Sequence, residues 1–158
     1  MKTSLFEIFK IGIGPSSSHT MGPMRAAAEF ARGLREGGVL EKVARVEANL
    51  FGSLALTGHG HMTDRAVLLG LSGESPELIA PESIAPKLEA IRSTKSLPLA
   101  GIRAIGFDEK RDLLFHKDKT LPFHSNEREV SCPCETAGRA FRRTQSRVSR
   151  QAANSSWT

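Results

Sequence analysis

Apolar positions along this chain switch between two periods, and each switch marks an element. In "SLFEIFK", Leu5, Ile8 and Phe9 fall at i, i+3 and i+4, which predicts a short amphipathic helix capped by Thr3 or Ser4. "GPMRAAAEFARGLREGG" carries the helical period further: Pro23 suits a first turn, alanines and charges fill the body, and Gly37 with Gly38 closes it. Its narrow alanine face would let another backbone come close. "KVARVEANLFGSLAL" comes near to strict alternation, which predicts a half-buried strand over 43–51, broken by Gly52. A further helix is predicted over 63–71, closed by Gly73, and a short one over 86–92 within a proline-punctuated connection. "GIRAIGFDEKRDLLFHKDK" predicts a β-hairpin, with 102–107 and 113–115 flanking a charged turn. The fold class expected from this order is α+β, with helices packed on one face of a mostly antiparallel sheet.

The pattern stops after Asn126. From Glu127 to Thr158 there is no Leu, Ile or Met, and only Val130, Phe141, Val148 and Trp157 are large enough to fill a core. Two regions are therefore expected: a folded unit over 1–126 and an Arg/Ser-rich tail over 127–158 that buries too little to order itself. Charge follows the same boundary. The formal net charge is +5, but residues 1–126 hold 16 Lys and Arg against 14 Asp and Glu, while the tail holds 6 Arg against 3 acids. The folded part has no basic stripe with interleaved aromatics, so no nucleic-acid partner is expected there. No apolar run approaches the roughly 18 residues that span a bilayer, and the start lacks a secretory h-region, which places the expectation in the cytoplasm without a membrane partner. Both cysteines lie in the tail as "CPC", Cys132 and Cys134, a spacing that matches neither a redox nor a zinc motif.

The chemistry-bearing residues concentrate in loops. "GIGPSSSHT" places Ser16, Ser17, Ser18, His19 and Thr20 immediately before a helix, where hydroxyls and backbone N–H groups can face an anion. The lysine of a phosphate P-loop is absent, so a carboxylate suits the loop better than a triphosphate. His61 lies in "GHGHMTD" and His124 in "LPFHSN", each beside a regular element, from which side chains can converge on one cleft. Blander readings exist for each: a serine-rich turn as an N-cap, His59 as a plain loop residue, and His116 as an edge or surface residue. The two histidines of "GHGH" have no third ligand and predict no metal site. Ser17, His61 and Asp64 could be drawn as a hydrolytic triad, but there is no G-x-S-x-G elbow to support one.

Taken together and in order, "SLFEIFKIGIGPSSSHTMGPMRAA", "LFGSLALTGHGHMTDRAVLLGL" and "LPFHSN" resemble the N-terminal (β) domain of the bacterial iron–sulfur L-serine dehydratases, or L-serine ammonia-lyases, of the single-chain type. The resemblance covers residues 3–126. It implies a serine dehydratase β-domain-like fold and the conversion of L-serine to pyruvate and ammonia without pyridoxal phosphate. It also implies a 4Fe–4S cluster whose ligands belong to a catalytic α domain and not to this segment, and a homodimer for the full-length protein. Carried onto this chain, it makes Ser16, Ser17, Ser18, His19 and Thr20 a carboxylate cradle. His61 and His124 become candidates for proton transfer or substrate orientation, Thr63 and Asp64 hold the His61 loop, and Asn126 completes the polar wall.

Two departures accompany the resemblance. Family members usually carry glycine where Met62 stands and lysine where His59 stands. The tail resembles neither the apolar stretch that follows in the family nor its cluster-binding cysteines, which leads to the expectation of a truncated dehydratase, inactive alone. Two alternatives stand beside it: an isolated binding module for serine or another anionic metabolite, and an arginine-rich tail that binds acidic surfaces by salt-sensitive attraction.

Overall fold

The computed structural model describes residues 13–118 together with the backbone of 128–132 and 141–142. A π-helical turn, Ser17–Met21, runs directly into α1, Gly22–Glu36, with Pro23 in its first turn. After β1, Glu47–Phe51, come α2, Gly52–Thr57, and α3, Thr63–Leu71. Helix α4, Pro81–Thr94, leads to β2, Ser96–Leu99, and β3, Arg103–Gly106. A short helix α5, Glu109–Asp112, precedes β4, Leu113–His116; β5, Arg128–Cys132, and β6, Phe141–Arg142, follow.

Helix α1 forms where the alanine-rich period predicts it, and its inner face, Met24, Ala27, Ala31 and Leu34, is fully buried. That small-residue face admits α3 at close range. A Cβ built on Gly70 would lie 2.2 Å from the Met24 carbonyl oxygen and 2.7 Å from the Ala27 Cβ. The two helices therefore meet backbone to backbone, as the alanine stripe predicts. The same core takes in Val46, Ala48 and Leu50 from the β1 region, Leu54 from α2, Leu88 and Ile91 from α4, and Leu97, Leu99 and Ile105 from the second sheet.

The fold is α+β, but the expectation of one mostly antiparallel sheet is corrected. The main sheet is mixed, in the order β4-β1-β5-β6. Strand β1 pairs in parallel with β4, Ala48 opposite Leu113 and Phe51 opposite His116. On its other edge it pairs antiparallel with β5, Ala48 opposite Val130. β2 and β3 form a separate antiparallel pair, Leu97 opposite Ile105. The predicted hairpin of 102–107 with 113–115 does not form. Its charged turn is α5, whose cap Asp108 accepts from the Lys110 N–H at 3.1 Å, and the two flanking strands enter different sheets. A buried carboxylate explains that separation. Asp112 accepts from Arg45 Nε at 2.6 Å, Arg111 Nε at 3.0 Å and the Asp108 N–H at 2.8 Å, which ties the end of α5 to the approach to β1.

Strand β1 is shorter than predicted and covered on both faces, with Asn49 and Phe51 as well as Ala48 and Leu50 buried. Part of the segment expected to be an unordered tail is strand: the backbone of Arg128–Cys132 is hydrogen-bonded to β1, and Phe141–Arg142 to β5. The predicted helix within 3–9, and the rest of the tail, lie outside the described residues. No helix among the described residues is long and apolar enough to cross a membrane.

Candidate functional site

Two loops meet at the N-terminal end of α1. The first is the serine turn. Ser16 sits at its cap in extended conformation, and its Oγ accepts from the His19 N–H at 3.2 Å. The wide ring of the turn closes when the Gly22 N–H donates to the Ser17 carbonyl. π-Helical turns of this kind cost regular hydrogen bonding and tend to appear where a site needs them. Gly14 is required just before it, because a Cβ there would lie 2.5 Å from Thr20 Cγ2.

The second loop joins α2 to α3. The Thr63 N–H closes it by donating to the Gly58 carbonyl at 2.8 Å, and Met62 adopts the left-handed conformation at φ 59°. A left-handed methionine is strained relative to glycine, and the strain is held by the bonds around it. Among these is a reciprocal tie between the two loops. Thr20 Oγ1 donates to the His61 carbonyl at 2.7 Å, and Thr63 Oγ1 donates to the His19 carbonyl at 2.6 Å. Both threonines are fully buried. Each hydroxyl thus fixes the backbone of a histidine on the opposite loop.

The result is a pair of histidine rings 4.9 Å apart, tilted by 39°. His19 is held at both nitrogens, Nδ1 by Ser18 Oγ at 2.9 Å and Nε2 by Ser53 Oγ at 3.0 Å. Burial, then the neighbouring His61, lower its pKa below the ordinary histidine value, against an opposing hydrogen bond that the ring makes to the Ser53 backbone. His61 is held differently. Its Nδ1 lies 3.0 Å from the Thr57 carbonyl, which can only accept, so Nδ1 carries the proton. In the neutral ring Nε2 is then left as the base, with no partner among the described residues.

The predicted site residues separate into three groups. Ser16, Ser17, Ser18, His19, Thr20, His61 and Thr63 come together. Ser16 and Ser18 hydroxyls lie 3.2 Å apart, and Ser17 stands exposed beside them. Asp64 opens α3 but turns to Arg92 of α4 at 3.5 Å, so its contact fixes the helix start. His124 and Asn126 lie outside the described residues. His59 stacks on Phe115 at 4.2 Å, and His116 stacks on Phe51 at 4.8 Å with its Nε2 2.6 Å from Asn49 Oδ1.

Ser53 was missed by the sequence reading. Its signal was the glycine before it: Gly52, at φ 57°, turns the chain out of β1 into α2, which sets Ser53 beside His19.

An iron–sulfur cluster does not fit these residues. Among the described residues no group of three or more His, Cys, Asp or Glu side chains converges as a metal site. The cluster type in question needs cysteine thiolates. Neither Cys132, described by its backbone alone, nor Cys134, outside the described residues, belongs to either loop.

Comparison with known proteins identifies the family. The sequence profile of the serine dehydratase beta chain matches residues 4–145, beyond Asn126 and into the segment that contains β5. The L-serine dehydratase of Streptomyces coelicolor is 51% identical over 126 residues, 80% of this chain and 28% of the relative. L-serine dehydratase 1 of Escherichia coli is 42% identical over 128 residues, again 80% of this chain and 28% of the relative. That of Haemophilus influenzae is 36% identical over 142 residues, 89% of this chain and 31% of the relative. The chain thus spans less than a third of the length of each of these relatives, and over that span it belongs to the serine dehydratase beta chain family.

Proposed function

We propose that this chain supplies the serine-binding half of an L-serine dehydratase active site, in which L-serine is converted to pyruvate and ammonia. The observation that carries the reading is the threonine-for-threonine tie between the serine turn and the His61 loop, which holds exposed hydroxyls and a histidine base on one small surface. Ser16, Ser17 and Ser18 receive the substrate carboxylate. The favourable end of the α1 dipole supports the negative charge, since the turn leads directly into that helix. His19, kept neutral, orients Ser18 and Ser53 and adds no charge of its own. His61 Nε2 takes or returns the proton at the serine Cα, with its other nitrogen anchored by Thr57.

Thr20, Thr63 and Asp64 act as positioning residues through the backbone and the start of α3, and His124 and Asn126 complete the polar wall. The group that draws off the serine hydroxyl is assigned to a catalytic α domain or chain, because the described residues fit no cluster. The chain alone is then inactive, and the assembled enzyme works as a homodimer in the cytoplasm.

The test is serine-dependent pyruvate formation by this chain, alone and assembled with a catalytic α part after anaerobic reconstitution with iron and sulfide. Turnover is expected only in the assembled enzyme. There His61→Ala lowers kcat by about 100-fold or more, with a smaller change in KM. Near-normal turnover removes His61 from proton transfer. Serine bound by wild-type chain with no turnover even after assembly would make this a binding module instead.

A further inference from the structure

We propose that a groove on the outer side of α1, away from the serine turn, binds a small phosphate-bearing anion. The groove, open to solvent on one side, offers about 330 Å³ between Arg25, Arg32 and Arg35 of α1 and an opposite wall that includes Gly73, Pro76 and Ala100. That volume suits a small organic molecule.

The arginines line it because of helix geometry. Met24, Ala27, Ala31 and Leu34 occupy the buried face of α1, so positions 25, 32 and 35 return on the outer one. Arginines on an exposed helix are ordinarily a solvated surface. Here their partners distinguish them. Arg25 is committed to Glu77, with Nε donating to Oε1 at 2.7 Å. Arg32 reaches Glu36 only at 3.8 Å, with both side chains more than half exposed. The Arg35 guanidinium has no partner among the described residues. Two loosely held guanidiniums at i and i+3 lie on one stretch of helix surface, close enough to share a tetrahedral oxyanion through several charge-assisted hydrogen bonds.

The remaining lining sets the rest of the ligand. Glu29 also borders the groove. With Arg25 and Glu77 cancelling, the lining itself sets two guanidiniums against one carboxylate, and Glu36, outside the lining, loosely offsets Arg32, so the small excess suits a single phosphate and not a polyphosphate. The opposite wall is small and rigid: the Ala100 N–H donates to the Leu71 carbonyl at 2.8 Å, and a Cβ on Gly73 would lie 3.0 Å from the Ala100 carbonyl carbon. Among the described residues no aromatic side chain lines the groove for a base to stack on. A phosphomonoester with a short body fits these conditions, and a nucleotide does not.

The experiment titrates the full chain with glycerol 3-phosphate, and with sodium chloride at matched ionic strength, while backbone amides are followed by NMR. The variants are the Arg32→Gln/Arg35→Gln pair and Ser17→Ala, with circular dichroism to confirm their folds. The expected result is saturable shifts at Arg35, Gly73 and Ala100, weakened about tenfold or more in the arginine variant and unchanged in Ser17→Ala. Shifts matched by chloride, or insensitive to the arginine changes, overturn the proposal. So do shifts confined to residues 16–20, which would seat the anion in the serine turn. Because serine binding reports at residues 16–20 and phosphate at the groove, either reading can fail without the other.

Discussion

His19 shows how a single residue's environment constrains the chemistry. Its pKa is lowered, by burial first and by His61 second, so the folded chain holds the ring neutral at pH values where the unfolded chain begins to charge it. The unfolded state therefore binds more protons as pH falls below the ordinary histidine value of about 6.5, and stability declines from there through the folded pKa. Above that window the contribution is fully present. Histidine ring signals followed by NMR across this range should show His19 titrating below the ordinary value. Titration at or above it would mean that burial and His61 do not disfavour the charged ring. The residue scale was also where the sequence was most informative about the site. Serines and a histidine before a helix, and a histidine after "TGHG", were visible as candidates because such residues have no use in a core. What could not be seen was which hydroxyls face substrate. Thr20 and Thr63 read as two more polar groups, and only burial shows that both are spent on the carbonyl groups of the opposite loop.

At the scale of elements, legibility tracked whether the deciding contacts were local. The helix predicted over 63–71 is observed as Thr63–Leu71, because its apolar period and the Gly73 that follows it are local signals. Helix α4 runs longer than its predicted 86–92, since Pro81 starts it in the first turn and Pro86, an interior proline that forgoes one helical hydrogen bond, does not end it. The hairpin failed for the opposite reason. A charged stretch between two apolar segments looks like a turn, yet β4 finds its partner in β1, far back in the chain, and Asp112 is neutralised by Arg45 from that same region. The α1–α3 contact lies between these cases: the alanine stripe announced a close neighbour without naming it. Gly70→Ala tests that contact directly. Alanine improves helix propensity by about 1 kcal/mol, but its Cβ would sit 2.2 Å from the Met24 carbonyl oxygen. The clash should outweigh the gain, for a net loss of about 1–3 kcal/mol and a lower melting temperature. A higher melting temperature would mean that the helices stand further apart than described.

For the whole molecule, the central question is where the folded unit ends. Composition placed the boundary at Asn126, because the residues beyond it lack Leu, Ile and Met. Composition reports what a segment can bury, and a strand can instead be recruited through its backbone. Strand β5 lies between β1 and β6, so its hydrogen bonds complete one edge of the central strand. The family match reaching residue 145 covers the same segment. A chain ending at Asn126 would leave the edge of β1 toward β5 as a row of unpaired N–H and C=O groups, an arrangement that invites association with another chain. The shortened chain should therefore be less stable to urea than the full one and should self-associate at concentrations where the full chain does not. In the full chain, amides of Arg128–Cys132 should exchange slowly with solvent. Equal stability of the two chains, with fast exchange across that strand, would return the boundary to Asn126. Slow exchange with loss of stability would make β5 an integral strand, and the serine turn would then be carried by a sheet that draws its third strand from beyond the apparent end of the pattern.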